Sequence, residues 1–162
     1  MRNKFPFLFL LFLCFAIQAQ DTQQTDNITT ISTQFQSVEI IRLKSGTDML
    51  EGLIQAVKDK SIKNGVIMNG IGSVSAYRFH VVSNVNLPPA EEFPRANVPM
   101  DLTSVQGYIL DGRVHAHITL SDENSVVGGH LEKGTKALTF IIVTVGVLAD
   151  TLELNHLDSY QY

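Results

Sequence analysis

The sequence predicts an α+β fold, a mostly antiparallel sheet carrying one main amphipathic helix. Three observations lead there. Apolar residues at helical spacing follow Asp48 (Leu50, Leu53, Ile54, Val57), whereas the later apolar runs read as strands. Asp111-Gly112 and Asp122-Glu123-Asn124-Ser125 are turn signals between neighbouring strand-like runs, and such hairpins join antiparallel strands. Many strands around a single helix, without an internal repeat, make an α+β domain.

At the start of the chain, Arg2 and Lys4 precede an apolar run from Phe5 to Ile17, and Ala19 is a small residue suited to cleavage. Residues 1–19 therefore read as a secretory signal peptide, too short for a membrane span. Cys14 belongs to that run, so the secreted or periplasmic chain is expected to hold no cysteine and no stable membrane anchor. Residues 20–36 are polar without periodicity and read as a flexible tether, leaving residues 37–162 as the domain. The 12 Lys and Arg against 16 Asp and Glu give a net charge of −4, and loss of Arg2 and Lys4 with the leader takes it to −6. No basic cluster is left to displace counterions, which argues against a nucleic-acid partner.

Within the domain, Val38 to Leu43 is strand-like and Gly46 breaks it. Thr47 can cap a helix beginning at Asp48, with Lys58 and Lys60 near its far end and Asn64-Gly65 stopping it. Val66 to Asn69 reads as a buried strand and Val74 to Val82 as another. Gly70-Ile71-Gly72 between them marks a sharp turn or a close backbone contact; without a third glycine and a following helix it is weak evidence for a phosphate cradle. Residues 83–99, with Pro88, Pro89, Pro94 and Pro99, form a loop long enough to be a flap over a site or an oligomer contact. Met100 to Leu110 returns to strand, Lys136 to Leu148 is β-branched enough to be buried on both faces, and Thr151 to Leu157 alternates as a last strand.

The stretch richest in chemistry runs from Arg113 to Glu132. Val114, Ala116, Ile118 and Leu120 alternate with His115, His117, Thr119 and Ser121, so the two histidines share a face, about 6–7 Å apart along the strand. If the next hairpin is centred between Glu123 and Asn124, His130 lies opposite His117 and Glu132 opposite His115, with Cβ atoms about 4.5–5.5 Å apart. Three imidazoles then converge, as ligation of zinc or another divalent transition metal such as copper or nickel requires. A bulge at Gly128-Gly129 would break that pairing. Glu132 is a candidate general base or partner of a ligand, or else a solvated glutamate. Arg113 is a candidate holder of an anionic substrate, or else an exposed arginine beside a turn. His80 and His156 read as ordinary strand residues.

These residues also carry a resemblance. Arg42-Leu43-Lys44-Ser45-Gly46-Thr47-Asp48, Asn69-Gly70-Ile71-Gly72-Ser73, His115-Ala116-His117 and Gly128-Gly129-His130-Leu131 resemble the plants-and-prokaryotes-conserved (PPC) domain family over Ser37 to Leu157. The resemblance implies a homotrimer and, as in bacterial members, a metal ion (zinc) on His115, His117 and His130. Plant members contact DNA through AT-hooks, and no Arg-Gly-Arg-Pro core stands in this chain. A more distant likeness links the fold to α-acetolactate decarboxylase, a zinc enzyme with a His-x-His pair. Three functions follow as expectations: a metal-binding domain without assigned chemistry, a zinc-dependent lyase or hydrolase acting on a small anionic carbonyl compound, and, disfavoured by charge and export, a DNA-binding protein.

Overall fold

A computed structural model describes residues 22–25 and 28–160, with side chains described from Ile28 onward. The expected signal peptide, residues 1–19, lies outside the described residues. The chain divides into two units, Met1–Ser32 and Thr33–Tyr162. In the first, β1 (Thr22–Thr25) and β2 (Ile28–Ile31) pair antiparallel, Thr22 opposite Ile31. A short antiparallel strand pair thus lies within the stretch that polarity marks as a tether, and its Thr and Ile residues have the β-branching that strands favour. No helix among the described residues is long and apolar enough to cross a membrane.

The second unit holds β3 (Ser37–Lys44), α1 (Met49–Asp59), β4 (Gly65–Val82), β5 (Glu91–Glu92), β6 (Arg95–Ala96), β7 (Met100–Leu110), β8 (Arg113–Ser121), β9 (Val126–Leu131) and β10 (Lys136–Val147). Every strand pairing in it is antiparallel, in the order β3-β10-β4-β7-β8-β9, and β9 returns to pair with β4. The return is possible because β4 is 18 residues long. Along one side it meets β10 and then β9; along the other it meets β7, β6 and β5. β4, β7, β8 and β9 therefore close on themselves around Ile67, Val105, Ile109, Ile118, Leu120 and Leu131, each at most 2% exposed.

Gly70 and Gly72 do not turn the chain; they lie inside β4, where backbones come close. A Cβ on Gly70 would sit 2.1 Å from Val105 Cγ1, and one on Gly72 would sit 2.2 Å from the Phe140 carbonyl oxygen. Of the two readings of Gly-Ile-Gly, close approach holds.

The helix begins one residue later than expected. Asp48, rather than Thr47, is its cap, accepting from the Glu51 amide at 3.2 Å while its other oxygen accepts from the Gly134 amide at 2.7 Å. Met49, Leu53 and Val57 are buried against Leu43, and Ile54 faces outward at 42% exposure.

Two further expectations are corrected. β10 is buried on one face only: Phe140 is exposed, as are Ile71 on β4 and Val38 and Ile40 on β3. Register pairs Ile142 with Ile71 and Arg42, and Thr144 with Ile40, so Ile40, Ile71 and Ile142 lie on one outward face together with Arg42 and Thr144. Thr151 to Leu157 is a series of turns, not a strand. Leu152 and Leu154 are buried as alternation suggests, but no strand edge receives that backbone. Instead the fully buried Asn64 donates through Nδ2 to the carbonyls of Ala149 (3.2 Å) and Leu152 (2.9 Å) and accepts from the Asp111 amide (3.3 Å). That anchor carries the tail toward β8.

Candidate metal centre

β7 and β8 join through Asp111 and Gly112 at φ 52° and 76°, the two left-handed positions that such a hairpin needs. β8 then alternates as its sequence dictates, Ala116, Ile118 and Leu120 inward and His115 and His117 outward. The next hairpin has the expected register, with His117 opposite His130, Ile118 opposite Gly129 and Thr119 opposite Gly128. No bulge interrupts it. The two glycines serve close packing: a Cβ on Gly128 would lie 2.4 Å from the Ile118 oxygen, and one on Gly129 2.4 Å from the His80 oxygen.

This register gathers the rings. His115 and His117 are near-parallel with centroids 5.5 Å apart, and His130 stands edge-on to both at 4.6 and 5.2 Å. One ligand nitrogen from each lies within 4.8 Å of the others, so the three together could hold one metal ion. His117 is the exposed member, so the trio opens to solvent on its side. A groove of about 420 Å³ lined by Met68, Gln106, Tyr108 and their neighbours reaches it there.

The residues around the trio differ from the expected ones. β9 ends at Leu131, and the Glu132 amide turns to the Arg78 carbonyl on β4 (3.1 Å), so Glu132 does not face His115. Its carboxylate lies 2.8 Å from His80 Nδ1. Facing His115 is Asp158 from the tail, with Oδ2 3.0 Å from Nδ1. That contact fixes the ring and leaves Nε2 for a cation, the usual arrangement of a carboxylate behind a ligating imidazole. Arg113 grips the same carboxylate in a fork, 3.1 and 3.0 Å, and also donates to the Asn155 carbonyl. Sequence reasoning placed Arg113 beside the site and missed Asp158, which no local pattern in the tail announces. It also missed His80, which stacks on His130 at 4.4 Å. His156 belongs to neither candidate cluster.

The electrostatics suit a cation. Burial, followed by the neighbouring His115, His80 and His117, pushes His130 down to about 4 against a partial offset from Glu132. Burial lowers His117 as well, even though it is the most open of the trio, and His115 and His80 add to that. Both rings thus stay neutral, with a lone pair available, where ordinary imidazoles begin to protonate. The hydrogen bonds from Arg113 hold Asp158 at about 2, so it stays anionic.

A pH dependence follows. His130 takes up its proton at about 4 when folded and near its ordinary 6.5 when unfolded, so acidification favours the unfolded chain between those values. Thermal unfolding of chelated protein is expected to shift to lower temperature as pH falls from 6.5 toward 4. In His130→Gln the loss over that window should be smaller; an equal loss would show that another group is responsible.

A family model of the Plants and Prokaryotes Conserved (PCC) domain matches residues 31–149. No curated protein gives a significant sequence match. Among solved structures, a metal-containing protein from Archaeoglobus fulgidus aligns at TM-score 0.66 and 19% identity, over 75% of this chain and 86% of that one. A plant- and prokaryote-conserved protein from Pyrococcus horikoshii aligns at TM-score 0.61 and 21% identity, over 73% and 82%. Acetolactate decarboxylase from Bacillus subtilis aligns more loosely, at TM-score 0.48 and 14% identity over 74% and 55%, too loosely to support an argument.

Proposed function

The chain belongs to the Plants and Prokaryotes Conserved domain family, and from that premise we propose that it binds a divalent transition metal, zinc foremost, through His115, His117 and His130. The observation that carries the reading is the trio itself: three nitrogens within 4.8 Å of one another, one ring fixed by Asp158. The metal-containing description of the Archaeoglobus fulgidus protein supports it. Zinc on three protein nitrogens keeps an open position, where it acidifies water or polarises a carbonyl. Asp158 orients His115, Arg113 holds Asp158, and Glu132, in contact with His80, stands beside the trio. Elemental analysis of the purified protein tests the proposal: His117→Ala is expected to hold about one equivalent of zinc less than the wild type. Equal content in both would remove it.

The groove reaching His117 favours a second reading, a zinc-dependent lyase or hydrolase acting on a small anionic carbonyl compound. Arg113 is already committed to Asp158, so in this reading a substrate anion would share it. A screen of keto and hydroxy acids for turnover that a chelator abolishes tests this. Binding to DNA is disfavoured by the net charge of −4.

The outward apolar face of Val38, Ile40, Ile71 and Phe140 supports a homo-oligomer, a trimer as the resemblance implies. Export rests on residues 1–19, and the N-terminal sequence of protein recovered from the periplasm or medium would identify the cleavage site.

A further inference from the structure

His80 lies on β4, 50 residues before His130, and the trio does not use it. The pairing of β4 with β9 sets it directly opposite His130. One nitrogen, Nδ1, lies 2.8 Å from Glu132 Oε1, and the other, Nε2, lies 3.7 Å from Glu91 Oε1. Phe93 packs against the ring at a centroid distance of 5.4 Å. Donor atoms of His80, His130 and Glu132 all lie within 4.8 Å of one another, and all three residues are half-buried, so this cluster is more enclosed than the first.

We propose that His80, Glu132 and His130 form a second divalent-cation site, sharing His130 with His115 and His117. Two imidazole nitrogens and one carboxylate oxygen are a donor set that zinc accepts while keeping a further position open. Glu91 stands at the far nitrogen of His80, as Asp158 stands at that of His115, and a carboxylate there orients a ligating ring. Ligands of a tetrahedral ion at about 2.0–2.1 Å are about 3.4 Å from each other. The contact between His80 and Glu132 therefore needs to open by only about 0.6 Å for a cation to replace the shared proton. Glu91 and Phe93 both come from the proline-rich segment after β4, so filling this site would tie that segment to the sheet.

Zinc alone, titrated calorimetrically into chelator-stripped protein, tests the site separately from the first trio. The double variant His115→Asn, His117→Asn removes two ligands of the first site; both side chains lie on the outward face of β8, so the fold is expected to persist and circular dichroism checks it. The variant is expected to bind about one equivalent of zinc. Adding Glu132→Gln or His80→Asn should weaken that binding by at least about 100-fold. A folded double variant that binds zinc no better than the triple variants would overturn the second site. Retention of the full wild-type zinc content by His117→Ala, together with loss of all zinc in Glu132→Gln, would instead remove the first site and leave the second standing.

Discussion

His130→Ala is expected to abolish tight metal binding, lowering affinity by at least about 100-fold, beyond the 10–100-fold that loss of an outer partner costs. Its ring lies within 5.2 Å of both β8 histidines and of His80, centroid to centroid. Truncating it leaves each cluster with two donors, and two donors hold zinc weakly. The backbone should be little affected, because β9 is held by its pairing with β8 and by Leu131, which is buried. The measurements are zinc content after dialysis and circular dichroism of the same sample. A folded variant that keeps zinc at the wild-type level would show that convergence of these rings is not ligation.

The second large effect is on stability. Gly129→Ala is expected to destabilise the domain by about 1–3 kcal/mol or more, read as a lower denaturant midpoint. The new Cβ would lie 2.4 Å from the His80 carbonyl oxygen and 2.8 Å from Phe79 Cδ2. The nearer obstacle is backbone and has no rotamer with which to yield, so β9 must back away from β4. That movement also draws His130 from His80, and zinc affinity should fall with stability. Val126→Ala, at a site 71% exposed on the same strand, serves as the control and should cost less than about 0.5 kcal/mol. Equal midpoints for the two variants would mean that β9 has slack at Gly129.

How much of this could be read from the sequence depends on the distance along the chain. The Asp111-Gly112 hairpin, the alternation of β8 and the pairing of His117 with His130 were legible because turn chemistry fixes register over a dozen residues. The helix was legible from its spacing, with an error of one residue in the cap. His80 was not, because its place opposite His130 depends on β4 reaching β9 over 50 positions of sequence, and no local pattern reports a long strand that closes a sheet. Glu132 was assigned the wrong neighbour because the ladder with β8 stops at Leu131 and the chain turns to β4. Thr151 to Leu157 has the alternation of a strand, and Leu152 and Leu154 do point inward, but the carbonyls are taken by the side chain of Asn64 and by turns. Periodicity reports which side chains are buried, and it cannot report where the backbone finds its hydrogen bonds.

Asp158 lies beyond residue 149, where the match to the family ends. The histidines that would grip the ion belong to the shared domain, while the carboxylate that aims His115 belongs to an appendage latched on through Asn64 and Arg113. Grip and aim are therefore encoded separately. Substitution of Asp158 would change how tightly such an ion is held without redrawing a single strand.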